Sequence, residues 1–180
     1  MNTWAVLLRG VNVGGKILSM KQLSGALVDR GYQDVATYIQ SGNVVLLSEQ
    51  GDEEALCRDV EHVISHEFGL SVTVMARTPE ELDSIVQANP FDKPGIDPKT
   101  LHVTFLSSEA ASTAVATIDR TSALPDEFAV SGREIYLHCP EGYGRSMLVN
   151  PFWERQLRAR ATTRNWRTVN RMLEMSRPPQ

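Results

Sequence analysis

Short apolar runs alternate with amphipathic stretches along the first half of the chain. An apolar run of strand length predicts a buried strand, whereas apolar residues with helical periodicity predict a helix. Capping and turn residues then set the ends of these elements. The pattern predicts strand 3–9, helix 19–31, strands 34–39 and 43–48, helix 53–68 and strand 71–76. This β-α-β-β-α-β order is typical of a ferredoxin-like fold.

The second half repeats the beginning of that order after a helix that starts at Thr78 and a proline-rich loop. The pattern predicts strand 101–106, helix 108–119 and strands 127–130 and 134–139. Asn150-Pro151 indicates a short helix, and Thr162 or Thr163 is the predicted cap of a last helix that runs to Met175. The predicted fold class is α+β, with two ferredoxin-like (βαββαβ-type) subdomains in tandem, the second ending in C-terminal helices. Their predicted bounds are 1–77 and 100–180, with a linking helix and loop at 78–99.

Composition and charge narrow the class of protein further. No apolar run approaches the roughly 20 residues that cross a bilayer, and the N-terminal residues lack the pattern of a signal peptide. We therefore expect a cytoplasmic protein without membrane contact. The net charge is −4. Residues 151–180 contain seven arginines and two glutamates, so this basic segment docks on the acidic remainder of the chain or meets an anionic partner.

The loop after the first strand contains the spacing of a phosphate-binding P-loop. Gly10 and Gly15-Lys16 fit the pattern G-x-x-x-x-G-K. A P-loop needs Ser or Thr next, to hold magnesium, and this chain has Ile17. The lysine of a P-loop also stands at the start of a helix, whereas the helix cap here is Ser19. Nucleoside triphosphate hydrolysis is therefore not predicted.

Two interpretations of this loop stay open. In the first, the loop binds an anion or a polar ligand through the backbone amides of its three glycines, together with the side chains of Arg9, Asn12 and Lys16. These glycines are Gly10, Gly14 and Gly15. In the second, the glycines only allow the positive φ angles of a tight turn. The residue types suit both interpretations.

The turn between strands 34–39 and 43–48 is the second polar segment of interest. Gln40, Ser41 and Asn43 surround its glycine. In a ferredoxin-like sheet the first and third strands are antiparallel neighbours, so the end of one lies beside the start of the other. We therefore expect this turn to lie close to the Arg9–Lys16 loop, where the two segments could share a ligand.

Other candidate residues lie in the second half. Arg145 and Ser146 follow a glycine turn, and Thr163, Arg164 and Asn165 are placed at a predicted helix N-terminus, where amides attract anions. Capping and packing alone also account for these residues.

No metal site or catalytic constellation is predicted. His62 and His66 have the spacing of metal ligands on a helix, but no third ligand is evident and a solvated helix face explains them. Neither a Ser-His-Asp nor a Cys-His set can be assigned. No cofactor is assigned either.

Five segments together resemble the domain-of-unknown-function family 1697. They are Leu8–Lys16, Thr37–Val45, Asn89–Phe91, Gly142–Ser146 and Ala161–Trp166. The resemblance implies an α+β fold with two ferredoxin-like subdomains, and it implies no activity or substrate. Its polar members are Arg9, Asn12, Gln40, Ser41, Asn43, Ser146, Thr163, Arg164 and Asn165. Members of this family often have Lys after the serine of the fourth segment, where this chain has Met147.

Three functions follow as hypotheses. The first is a module that binds a small anionic or polar ligand, or an unrecognised enzyme, built around Arg9–Lys16 and Gln40–Asn43. The second is a nucleic-acid-binding protein that uses the arginine-rich C-terminal segment. The third is a protein-interaction or oligomerisation domain. The oligomeric state is not predicted.

Overall fold

A computed structural model describes residues 1–177 of the chain. Its strands and helices follow closely the apolar pattern of the sequence. The strands are β1 Asn2–Leu8, β2 Gln33–Tyr38, β3 Asn43–Ser48, β4 Val74–Arg77, β5 Leu101–Leu106, β6 Glu127–Ser131, β7 Glu134–His138 and β8 Ala161–Asn165. The helices are α1 Met20–Arg30, α2 Glu53–Phe68, α3 Pro79–Gln87, α4 Ser112–Ala116, α5 Asn150–Leu157 and α6 Trp166–Ser176.

Local sequence signals set the ends of the helices in the first half. The Ser19 hydroxyl accepts a hydrogen bond from the Gln22 amide at the start of α1. At the start of α3, the Thr78 amide donates to the Glu81 carboxylate while the Glu81 amide donates to the Thr78 hydroxyl. This reciprocal pair satisfies two amides that a helix N-terminus otherwise leaves without partners.

The first subdomain is an antiparallel sheet with the strand order β2-β3-β1-β4. One face carries Trp4, Val6 and Leu8 of β1, which pack in a core with α1 and α2. The opposite face of β1 carries Ala5 and Leu7, which are buried too. Both faces of this central strand are therefore covered, which explains its continuous apolar sequence.

The second subdomain has the equivalent order, β6-β7-β5-β8, and the equivalent chain path β-α-β-β-α-β. Its core contains Leu106 of β5, Ile135 and Leu137 of β7, and Trp153 of α5. The prediction of two ferredoxin-like subdomains in an α+β fold is confirmed.

Two local predictions in the second half are wrong. The helix predicted over 108–119 is limited to α4, since Ala110 and the residues before it continue the loop after β5. Thr162 and Thr163 do not cap a helix, because they lie inside strand β8. The cap of α6 is Asn165, whose side-chain oxygen accepts from the Thr168 amide at 2.8 Å. Pairing with β5 gives this polar segment its strand conformation.

The chain divides into two compact units. The first comprises Met1–Ser84 and the segment from Arg171 onward, and the second comprises Ile85–Asn170. The chain passes between them within α3 and α6. None of the helices described is both long enough and apolar enough to cross a membrane.

Candidate functional site

Asn12 organises the loop between β1 and α1. Its side-chain amide donates to the carbonyls of Leu18 at 2.9 Å and Gln40 at 2.5 Å, and its side-chain oxygen accepts from the Leu18 amide at 2.8 Å. Its backbone amide donates to the Lys16 carbonyl at 2.6 Å. Asn12 therefore closes the base of the loop and attaches it to the neighbouring turn. These bonds occupy the side chain that the sequence proposed as a ligand contact.

The outer part of the loop, from Val13 to Ile17, is exposed. Gly14 and Gly15 adopt positive φ angles of 57° and 91°, which favour glycine. Their amides donate to no group in the part of the chain that the structure describes. The Lys16 ammonium donates to the Ser71 carbonyl at 2.9 Å, and the Arg9 amide donates to the Thr73 carbonyl at the same distance.

The turn Gln40–Asn43 contacts the loop, as strand pairing predicts. The Leu8 amide donates to the Gly42 carbonyl at 2.8 Å, and Leu7 faces Asn43 in the β1–β3 register. Gly42 has a φ of 80°, and a Cβ atom there would lie 2.6 Å from Cγ2 of Val11. The close approach of loop and turn therefore requires glycine at this position.

Asn43 is a buried part of the turn and does not face solvent. Its amide donates to the Tyr38 carbonyl at 3.0 Å and to the Ser41 hydroxyl at 2.9 Å. Gln40 and Ser41 are exposed beside the loop. Of the turn's three candidates, these two remain accessible to a ligand.

Three apolar side chains are exposed at the same end of the first subdomain. Val13 is 63% exposed, Ile17 84% and Ile39 50%. The polar residues of these segments do not predict an exposed apolar group. Apolar side chains among glycines gave no periodic pattern by which they could have been recognised.

Thr163 is the centre of a hydrogen-bonded group in the second subdomain. Its hydroxyl lies 2.7 Å from the Thr104 hydroxyl, which is directly across the β5–β8 pair, and it donates to the Asn150 side-chain oxygen at 2.6 Å. Burial raises the pKa of nearby Tyr143, and a hydrogen bond with Thr163 acts in the opposite direction. The group is satisfied internally, so Thr163 has a structural role that its sequence position did not reveal.

Arg164 and Asn165 are also committed to the fold. The Arg164 guanidinium donates to the Thr162 hydroxyl at 2.6 Å and to the Thr163 carbonyl at 3.0 Å. Burial lowers its pKa to about 10, and the Coulomb interaction with Tyr143 opposes that shift. Because these residues lie in β8, with Asn165 as the cap of α6, the anion site predicted at a helix start that includes Thr163 and Arg164 is not formed.

Arg145 and Ser146 lie at the end of a short 3-10 turn, Tyr143–Arg145. The Ser146 hydroxyl accepts from the Leu148 amide at 3.0 Å. Burial raises the pKa of Cys139 to about 11, and a hydrogen bond with Ser146 opposes this shift while the charge of Asp126 adds to it. Cys139 is therefore a protonated thiol at neutral pH. Arg145 is exposed.

The candidate residues therefore form two separate sets, one in each compact unit. Arg9–Lys16 and Gln40–Asn43 meet in the first, whereas Arg145, Ser146 and Thr163–Asn165 lie in the second. Among residues 1–177, no three His, Cys, Asp or Glu side chains form a group that could hold a metal ion.

Comparison with known proteins places this fold in a family. Residues 1–136 match the model of a family described as a protein of unknown function (DUF1697). The chain belongs to the DUF1697 family. The matched residues include the first three of the five segments that resemble this family, and the last two lie beyond them.

A solved structure extends the comparison beyond the part that the DUF1697 model matches. The conserved bacterial protein SP0830 from Streptococcus pneumoniae is similar over 98% of this chain and 99% of its own, with a TM-score of 0.72 and 20% sequence identity. This likeness shows the fold alone. No curated protein matches the chain. The comparisons therefore assign this DUF1697 protein no activity, ligand or partner.

Proposed function

We propose that the protein binds a small anionic or polar ligand at the Arg9–Lys16 loop, beside the Gln40–Asn43 turn. The observation that carries this proposal is that the base of the loop is fixed by hydrogen bonds while its outer amides are exposed. Asn12 fixes its base with four hydrogen bonds. Its outer residues, Gly14 and Gly15, present exposed amides without internal acceptors among the described residues.

Exposed amides on a fixed loop are suited to anions. Successive backbone N–H groups near positive-φ residues form concavities that bind phosphates and carboxylates. The conformation is already set, so the ligand does not have to order the loop, which lowers the entropic cost of binding. The Lys16 side chain, exposed at the same loop, adds positive charge for an anionic group.

The roles within the proposed site differ from residue to residue. Gly14, Gly15, Lys16, Gln40 and Ser41 are its accessible members. Asn12 and Asn43 act as supports, since their side chains already bond within the loop and turn. Substituting either of them would disturb the fold and would not test binding cleanly.

Isothermal titration and thermal-shift measurements with phosphate, nucleotides and carboxylates test this proposal. We expect saturable binding of at least one anion at constant ionic strength. Lys16→Gln should weaken it about two- to fivefold, since the side chain is exposed and screened. Lys21→Gln, a substitution of an exposed lysine on α1, is the matched control.

Failure of every anion in the panel would refute the proposal. Equal weakening by Lys16→Gln and Lys21→Gln would also refute it, because the effect would then reflect net charge alone.

A protein-interaction function is a second candidate, which the exposed Val13, Ile17 and Ile39 favour. Exposed apolar side chains that cluster at one end of a subdomain are typical of interaction surfaces. If this end of the subdomain self-associates, Ile17→Ser should reduce the association seen by sedimentation at rising concentration. Val28→Ser is the control, since Val28 is an exposed apolar residue on α1. A monomer at every concentration would exclude self-association.

Nucleic-acid binding through the arginine-rich segment remains a hypothesis with less support. Arg164 is buried, and Arg171 and Arg177 pair with Glu174 and Asp83. A ferredoxin-like RNA-binding sheet stacks bases on exposed aromatic residues, whereas the face of β1 opposite α1 and α2 carries Ala5 and Leu7, which are buried. Salt-dependent binding of single-stranded RNA would revive the hypothesis.

A further inference from the structure

Asp126 is a largely buried residue of the second subdomain, and its carboxylate has no bonding partner among the described residues. It precedes β6 and is only 8% exposed. Across residues 1–177 its side chain accepts no hydrogen bond and joins no ion pair. Carboxylates are seldom buried unless they are paired, because burial removes their hydration. Such a group needs a cation from outside the chain or access to solvent.

Two adjacent cavities provide that access. One, of about 240 Å³, is lined by residues that include Leu124, Asp126, Gly142 and Arg145. The other, of about 220 Å³, shares Leu124 and Asp126. Among residues 1–177, the enclosed side-chain polar atoms without a partner include Asn89 Nδ2 and His102 Nδ1 but not the Asp126 oxygens. The carboxylate is therefore accessible from this pair of cavities.

Arg145 supplies the opposite charge in the larger cavity. Its guanidinium forms neither a hydrogen bond nor an ion pair with any described residue, and so it does not neutralise Asp126. The arginine of the smaller cavity, Arg120, is engaged elsewhere. Its guanidinium donates to the Phe128 carbonyl at 2.6 Å and lies 4.2 Å from the centre of the Phe128 ring. An acid and a base that pair with no side chain in the described part of the chain thus line one cavity without contacting each other.

Size and lining restrict the ligand further. Cavities for drug-sized ligands measure roughly 300–1,000 Å³, so the larger cavity suits a smaller molecule. Leu124 and Met147 line it and are among the large apolar side chains that the structure leaves exposed, at 67% and 40%. They offer a surface for an aliphatic group. Glu141 lines the same cavity and makes its charge more negative.

We propose that this cavity, named here the Asp126 cavity, binds a small zwitterion of the amino-acid class. The ligand's ammonium group pairs with Asp126, its carboxylate pairs with Arg145, and its apolar part packs on Leu124 and Met147. The cavity belongs to the second compact unit, and its occupancy does not depend on the anion site proposed at Arg9–Lys16.

Titration of the 15N-labelled full chain with aliphatic α-amino acids tests the proposal directly. L-leucine, isoamylamine and 4-methylpentanoate form a matched set, because the second lacks the carboxylate and the third lacks the ammonium. We expect L-leucine to shift the amide resonances of Asp126, Gly142 and Arg145. The two truncated compounds should bind about tenfold or more weakly, since each leaves one charge unpaired.

Substitutions then assign the two charges. Asp126→Asn and Arg145→Gln should each weaken L-leucine binding by about ten- to a hundredfold. Asp92→Asn and Arg167→Gln make the same chemical changes at exposed positions outside the cavity and should leave it unchanged. Lys16→Gln should also leave it unchanged, which separates this site from the proposed anion site.

Three results would overturn the proposal. The first is that no aliphatic amino acid shifts those resonances in the unmodified protein, a result that requires no variant to fold. The second is unchanged L-leucine affinity in a folded Asp126→Asn protein. The third is isoamylamine binding as tight as that of L-leucine, which would show that Arg145 contacts no carboxylate.

Discussion

The two subdomains share one topology but complete it with last strands of opposite character. In the first, β4 is Val-Met-Ala-Arg, and Val74 and Ala76 pack into the core. In the second, β8 is Ala-Thr-Thr-Arg-Asn and occupies the equivalent edge position. Apolar burial stabilises Val74, Met75 and Ala76 of β4, and only its last residue, Arg77, forms a side-chain ion pair, with Glu53. Most side chains of β8, in contrast, form hydrogen bonds with their neighbours. Pairing at this edge of the sheet therefore gives a segment its strand conformation, and both apolar and hydrogen-bonding side chains are compatible with it.

The largest expected difference between the subdomains is the stability lost when the glycine of the hairpin turn is replaced by alanine. Gly42 and Gly132 occupy equivalent turns, both with positive φ. A Cβ atom at Gly42 would lie 2.7 Å from Cβ of Leu8, whereas one at Gly132 meets nothing within 4 Å. We expect Gly42→Ala to lower the free energy of unfolding by about 2–5 kcal/mol, from strain and overpacking combined.

Gly132→Ala is the control, with an expected loss of about 1 kcal/mol from strain alone. Urea unfolding of both variants provides the measurement. Equal losses would mean that the contact between turn and loop adds no constraint in the first subdomain.

The hydroxyl of Thr163 tests how β8 is stabilised. Thr163→Val keeps the shape and leaves Thr104 and Asn150 without their shared partner. We expect the free energy of unfolding to fall by about 1–3 kcal/mol, the usual cost of leaving buried polar groups unsatisfied. Thermal unfolding of Thr163→Val measures this loss. Thr37→Val is the control, because Thr37 is a strand threonine of the first subdomain. A similar effect in both would contradict a special role for this hydroxyl.

The smallest expected effect concerns an ion pair that only the first subdomain can make between its helices. Asp59 of α2 accepts from Arg30 of α1 at 2.5 Å and from the Tyr32 hydroxyl at 2.8 Å. The helix α4 of the second subdomain has no charged residue. Asp59→Asn should cost about 1 kcal/mol near neutral pH, since the pair is partly exposed.

The stability lost in Asp59→Asn should depend on pH, and the direction of the shift in the Asp59 pKa sets that dependence. The hydrogen bond from Arg30 lowers the pKa of Asp59 below its ordinary 3.8. The stabilisation is therefore complete above that value and disappears as the pH falls through the folded pKa. Unfolding of Asp59→Asn and the parent protein should converge in acid, and Asp29→Asn serves as an exposed control. A constant difference at every pH would contradict this.

The fold could be predicted wherever apolar pattern and caps agree. The helix predicted at 53–68 and the strand predicted at 101–106 are confirmed. Strand β8 could not be predicted from its own residues. Thr162 and Thr163 are common caps, and only the hydrogen-bonded pairing with β5, distant in sequence, makes the segment a strand.

For the candidate site, the sequence could predict which segments lie close together but not which of their side chains are accessible. Antiparallel pairing of β1 and β3 predicted that the loop and the turn approach each other, and the bond from Asn12 to the Gln40 carbonyl confirms it. Which polar side chains form hydrogen bonds within the protein depends on exact atomic positions, as the internal hydrogen bonds of Asn43 show. Asp126 gave no signal at all, since its isolation depends on what surrounds it in space.

The position of each central strand has a consequence for synthesis. Strand β1 pairs with β3 and β4, and β5 pairs with β7 and β8, all of which come later in the chain. A ribosome therefore releases Trp4–Leu8 as an apolar segment without a partner until Asn43–Ser48 has been made. The same wait recurs for Leu101–Leu106. Each subdomain thus has an interval during translation in which its most apolar strand is open to chaperones or aggregation.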